Sequence, residues 1–163
     1  MAEIDNSVLE EEGEIAADYL EEFLDIVDVD GDIELDVRNG RAAVDIIGNL
    51  GDLSALIGDD ARVLDALQDL TRLAVQTKTG LRSRLMLDIA GYRAKQVEDL
   101  TELAKSVIER VSEKGRSEDM EPMNAFERKV VHDVVAAAGL ESESHGVDPY
   151  RYVTINASSP AAA

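Results

Sequence analysis

From Ile15 the apolar residues fall at helical spacing. Ile15, Ala16, Tyr19, Leu20, Phe23, Leu24 and Val27 share one face at 100° per residue. This predicts an amphipathic helix, which Asp30-Gly31-Asp32 breaks. The period then drops to two. Ile33, Leu35 and Val37 alternate with charged residues as in a half-buried strand, and Asn39-Gly40 is a hairpin signal. Ala43, Val44, Ile46 and Ile47 supply the returning strand, with less regular alternation. Asp52 to Gly58 reads as a short helix closed by glycine. After Asp59 and Asp60 a second helix begins, with Val63, Leu64, Leu67, Leu70, Leu73 and Ala74 on its inner face. Thr79-Gly80 stops it, and Arg82 to Ile89 alternates as a third strand.

Beyond Gly91, Tyr92 to Lys114 predicts one long helix striped by Val97, Leu100, Leu103, Ala104, Val107 and Val111. Asp119 to Pro122 is a short strand or an extended lead into another helix, which opens on Asn124 with Glu127 three residues on, a capping-box signature. Phe126, Val130, Val131 and Val134 line one face of that helix, and Arg128, Lys129 and His132 are expected on the other. Gly139 closes it. Leu140 to Gly146 and Tyr150 to Ile155 predict two strands around a turn at Gly146 to Pro149. The fold class is therefore α+β, in two modules. Residues 1–14, where Glu10, Glu11, Glu12 and Glu14 crowd, are expected to be a disordered lead-in, and residues 158–163 a patternless tail.

The totals narrow the function. A chain of 163 residues holds one ordinary domain or two small ones. Without cysteine there is no disulfide frame and no thiolate metal site, which fits a reducing cytosol. No apolar run is long enough to cross a bilayer and the N-terminus is acidic, so a cytoplasmic location is expected. The formal charge of −19 sits awkwardly with a polyanion partner, but it is uneven. Residues 1–80 hold 21 acidic and 5 basic side chains; residues 81–163 hold 14 and 11. A polyanion is thus expected at the second half.

The chemistry worth weighing is Arg128 with His132. Four residues apart on a helix, they stack one turn above the other, a guanidinium and an imidazole in fixed register that suit a phosphate or a nucleotide edge. An ordinary solvated helix face has the same spacing, and only the surrounding sequence separates the two. Catalysis has less support. His132 and His145 with Asp133 and Glu141 lack a compact metal-ligand motif, and no phosphate-binding glycine loop, nucleophile elbow or dinucleotide fingerprint is present. Neither an enzyme nor a cofactor is expected.

The run MEPMNAFERKVVHDVV followed by GLESESHGVDPYRYVTI resembles the C-terminal half of the bacterial Jag family, the SpoIIIJ-associated RNA-binding proteins that join a KH domain to an R-three-H domain. The words LSALIG, VLDALQDLTRLAV and RLMLDIAGYR resemble the KH half, and the order helix, strand, strand, helix, helix, strand matches a type II KH domain. The resemblance implies a KH-like domain (αββααβ) over residues 15–91 and an R-three-H domain over 92–157. It implies single-stranded RNA, or single-stranded DNA, as ligand, with Arg128 and His132 as first contacts. Lys129 and Arg151 come next, Ser142 and Ser144 could add phosphate or sugar contacts, and Arg93 could border the groove. It further implies a second small KH protein (KhpA-like) as partner, a link to the YidC/SpoIIIJ insertase, and post-transcriptional control of cell elongation and division.

One departure bears on this. A KH domain passes nucleic acid over a Gly-x-x-Gly loop whose amides lie at a helix N-terminus. Here the loop is Gly58-Asp59-Asp60-Ala61. Two carboxylates face where phosphates would pass, and a charge pair about 6 Å apart at an effective dielectric of about 20 repels by roughly 3 kcal/mol before screening. A helix N-terminus with acidic caps is the better reading of this loop. The competing function is a protein-interaction adaptor whose KH half no longer binds RNA.

Overall fold

The computed structural model describes residues 5–158. They form two compact units, the first ending at Arg93 and the second beginning at Ala94. The first unit has the αββααβ order of a type II KH-like domain, and the second is a small α+β domain.

Helix α1 (Asn6–Val27) begins well ahead of Ile15. The Asp5 side chain accepts a hydrogen bond from Ser7 N–H and caps it, and Leu9 extends the inner stripe of Ala16, Leu20 and Leu24. The acidic stretch expected to be disordered is therefore helical from Asn6. Its carboxylates Glu10, Glu11 and Glu14 face water, and only Glu12 is buried. Residues 1–4 and 159–163, the rest of the two expected disordered ends, lie outside the described residues.

Strands β1 (Asp32–Arg38) and β2 (Arg41–Ile47) pair antiparallel from Arg38↔Arg41 to Asp32↔Ile47. Asn39 and Gly40 both have positive φ, 53° and 69°, as a two-residue hairpin turn requires. Strand β2 is central in the order β1-β2-β3, which explains its weak alternation: Ala42, Ala43, Val44 and Ile46 are all buried. Helix α2 (Leu50–Ile57) starts before Asp52 because Asn49 caps it, accepting from Gly51 N–H. A single 3-10 turn at Asp59–Ala61 leads into α3 (Arg62–Thr79). Strand β3 (Met86–Ile89) then returns parallel to β2 from Ala43↔Met86. It is shorter than the expected Arg82–Ile89 strand, because the pairing with β2 begins only at Met86 and Ser83 Oγ accepts Leu85 N–H in a local turn.

One core closes this unit. Leu20 and Leu24 from α1, Leu53 from α2 and Leu64 from α3 pack with Val44, Ile46, Leu87 and Ile89 of the sheet. Each such side chain contributes about 1.5–3 kcal/mol when fully buried. The inner face of α3 differs from the expected one. Leu64, Leu67, Gln68, Thr71 and Val75 point inward, while Val63, Leu70 and Leu73 are exposed. The helix is apolar on two sides, and periodicity alone chose both.

Helix α4 (Tyr92–Lys114) carries the chain into the second unit, burying Ala104, Val107 and Val111 and leaving Val97 and Leu103 exposed. Strands β4 (Glu118–Asp119), β5 (Glu141–His145) and β6 (Tyr152–Asn156) form an antiparallel sheet with β6 in the middle. Helix α5 (Ala125–Ala137) has the full capping box: Asn124 Oδ1 accepts Glu127 N–H and Glu127 Oε2 accepts Asn124 N–H. The core is small, built from the α4 stripe with Met120, Val131, Val135, Val153 and Ile155. Polar ties supplement it. Arg110 forks onto both oxygens of Glu118 at 2.7–3.2 Å, and Gln96 Nε2 donates to Glu127 Oε1 at 2.7 Å.

Candidate functional site

On α5 the buried residues are Arg128, Val131 and Val135. Positions 128, 131, 132 and 135 share one face of a helix, so Arg128 and His132 lie on the inner side and not opposite the apolar stripe as expected. Phe126, expected inside, is 37% exposed. Arg128 is only 7% exposed. Its Nη1 donates to the Met123 carbonyl at 2.7 Å and to Asp148 Oδ1 at 2.9 Å. The arginine thus ties the start of α5 to the turn between β5 and β6. A guanidinium has five N–H donors, and the three on Nε and Nη2 have no partner among the described residues.

His132 is half-buried and bound at both ring nitrogens. Nδ1 lies 2.6 Å from Ser142 Oγ and Nε2 lies 2.8 Å from Ser144 Oγ. Ser142 and Ser144 are two apart on β5 and so project to the same face, and either ring tautomer satisfies both contacts because each hydroxyl donates or accepts. The motif therefore fixes α5 against the hairpin at two points, one turn apart. Lys129 is exposed and pairs with Asp133 at 3.0 Å. Arg151 hands its carbonyl to Met123 N–H, and its buried Nε has no hydrogen-bond partner among the described residues.

The turn above Arg128 holds residues that periodicity did not single out. Val147 is 81% exposed and Tyr150 76%, and Tyr150 N–H closes the turn on the Val147 carbonyl. An exposed aromatic ring is a surface on which nucleic-acid bases stack. The signal was available in Asp148-Pro149-Tyr150-Arg151, an aromatic in a turn flanked by charge.

In the first unit the Gly58 loop keeps a tight shape. Gly58 has φ 73° and ψ −179°, and a Cβ there would meet Val63 Cγ2 at 2.6 Å. Asp60 and Ala61 also have positive φ, 52° and 59°, so Ala61 holds the left-handed conformation that favours glycine. Asp59 and Asp60 are exposed, but neither caps α3, which has no side-chain cap. The acidic-cap reading is corrected on that point.

Arg93 is also anchored. Its Nε donates to the Leu87 carbonyl at 2.8 Å and its Nη2 to Asp65 at 2.9 Å. Gln68 Oε1 accepts Leu87 N–H and Arg72 Nε donates to the Leu85 carbonyl, each bond closing part of the free edge of β3. On this edge the Leu87 N–H and the Leu85 and Leu87 carbonyls are thus already used. No helix among the described residues is long and apolar enough to cross a membrane.

Comparison with known proteins agrees with this division. The family model of the R-three-H domain matches residues 98–157. The RNA-binding protein KhpB of Clostridium symbiosum is 31% identical over 147 residues, covering 86% of this chain and 64% of that protein. The protein of the same name from Lactiplantibacillus plantarum is 30% identical over 139 residues, 85% of this chain and 42% of its own length. That from Bacillus subtilis is 32% identical over 104 residues, 62% and 50%. The chain thus spans between 42% and 64% of the length of these relatives. Over most of its length the chain is similar to proteins named RNA-binding protein KhpB, and its second unit matches the model of the R-three-H domain.

Proposed function

We propose that this chain binds single-stranded RNA and performs no chemistry on it. The relatives are named RNA-binding proteins, and the R-three-H match covers the unit that holds Arg128 and His132. The observation that carries the reading is Tyr150, exposed on the turn whose Asp148 rests on Arg128. A base stacks on that ring. The strand's phosphates meet Lys129 and the unpartnered edge of Arg128, a charge-assisted contact. His132, Ser142 and Ser144 hold the hairpin in place for it. We extend the reading, on family resemblance, to a cytoplasmic post-transcriptional role in cell elongation and division, with a second small KH protein as partner and a link to the YidC/SpoIIIJ insertase.

Fluorescence anisotropy with a labelled single-stranded RNA at two salt concentrations tests this. Tyr150→Ala combined with Lys129→Ala weakens binding about fivefold or more while the melting temperature holds, because stacking contributes about 1–3 kcal/mol per base and both side chains are exposed. Unchanged affinity in the double variant rejects the site. A second reading, the protein-interaction adaptor, is favoured by the exposed row Val63, Leu70 and Leu73 on α3, and it takes over if the wild-type chain retains no RNA in dilute buffer.

A further inference from the structure

The first unit carries most of the negative charge, yet four of its arginines gather on one cleft. Arg41, Arg72, Arg82 and Arg84 line a cavity of about 610 Å³ with Asp69 and the buried Ser83. Arg41 Nη1 and Arg72 Nη2 both approach the Met86 sulfur, at 3.5 and 3.6 Å, so two guanidiniums converge on one weak neutral acceptor. None of the four pairs with a carboxylate among the described residues, although Arg38, Arg93 and Arg110 do. Glu12 borders the adjoining cavity of about 290 Å³, which also touches Arg41, Arg82 and Arg84, and it too stands outside ion-pair distance. Among the described residues Asp69 is the one carboxylate lining the cleft against four arginines, so the cleft carries an excess of positive charge in a chain with 35 acidic residues.

Burial first, and then the nearby Arg41, Arg93 and Arg82 guanidiniums, hold Arg72 below the usual guanidinium value, with Asp69 opposing. The cations repel one another across the cleft, and an anion held between them relieves that repulsion. Guanidinium forks match paired phosphate oxygens, and Leu73 at the rim gives a sugar or base an apolar surface. We propose that this cleft takes a backbone phosphate of single-stranded nucleic acid, a site separate from the Gly58 loop. Arg72 lies ten residues into α3 from Arg62, about 15 Å along the helix axis from the loop end. The assignment rests on the RNA-binding reading above. It also places a polyanion contact in the first, more acidic unit.

Arg82 and Arg84 are exposed, so Arg82→Ala with Arg84→Ala leaves the fold intact, checked by an unchanged melting temperature. Against the wild type, the double variant binds a labelled single-stranded RNA more weakly, and its log K versus log salt slope is shallower by about 0.7, one phosphate contact. Wild-type binding with the same affinity and slope in the variant overturns this site and leaves the RNA-binding reading standing. Absence of wild-type binding in dilute buffer overturns both. Polyglutamate of matched charge, or inorganic phosphate at millimolar concentration, displaces the RNA only weakly. Full displacement by either would reassign the cleft to an acidic peptide or a free phosphate and end the proposal.

Discussion

The two units spend their arginines in opposite ways. In the second, less acidic with 13 carboxylates against 8 basic side chains, Arg128 is buried and bound to Asp148 and the Met123 carbonyl, and His132 is held by two serines. In the first, strongly acidic, Arg82 and Arg84 stand exposed on a cleft with no carboxylate in ion-pair range among the described residues. Net charge over a half chain therefore says little about where a polyanion is held. A cation committed to a carbonyl and a carboxylate shapes a surface and offers a ligand only its remaining N–H groups, whereas an uncommitted one offers its whole fork.

The contrast can be broken most sharply at Arg128. Arg128→Ala leaves the Met123 carbonyl short of a donor and frees the turn at Asp148. It destabilises the second unit by about 2–3 kcal/mol, below the full cost of breaking a buried pair because Asp148 is 68% exposed. Lys129→Ala, one residue on, changes stability by less than about 0.5 kcal/mol. Urea titration of both variants compares them; equal midpoints would mean Arg128 is no anchor. Next in size is Gly58→Ala in the first unit. The new Cβ meets Val63 Cγ2 at 2.6 Å in a backbone region that glycine alone occupies easily, so a loss of about 1–3 kcal/mol is expected by the same titration.

The smallest effect is a pH dependence. The hydrogen bonds from Arg110 hold the Glu118 carboxyl below its ordinary value of 4.5. A group lowered in the folded state contributes stability above the unfolded value and loses it as pH falls through the folded one. Replacing Glu118 with Gln should therefore reduce stability at neutral pH and flatten the acid limb of the stability curve below about 4.5. An acid limb identical to that of wild type would show that the fork contributes nothing.

Much of the fold was legible from local chemistry. Asn39-Gly40 fixed the hairpin, and Asn124 with Glu127 fixed the start of α5, because both signals act within four residues. The failures came where tertiary contacts decide. Val63, Leu70 and Leu73 fit a helical stripe as well as Leu64, Leu67 and Val75 do, and only packing against the sheet chose between them. The acidic start of α1 looked disordered by composition, yet Leu9 reaches buried surroundings and carries the helix with it. The Arg128–His132 spacing was correctly read as one face, but which face depended on Met123, Asp148, Ser142 and Ser144, up to twenty residues away. The arginine cleft was hidden for the same reason: Arg41, Arg72 and Arg84 meet only through the parallel pairing of β2 with β3.

The most direct measurement is photo-crosslinking of the full chain to a single-stranded RNA carrying 4-thiouridine, with the crosslinked peptides sequenced. The account predicts crosslinks on the peptides that contain Tyr150 and on those that contain Arg82 and Arg84, with the Gly58 loop weaker. Crosslinks confined to the Gly58 loop, or none at all in dilute buffer, would contradict it.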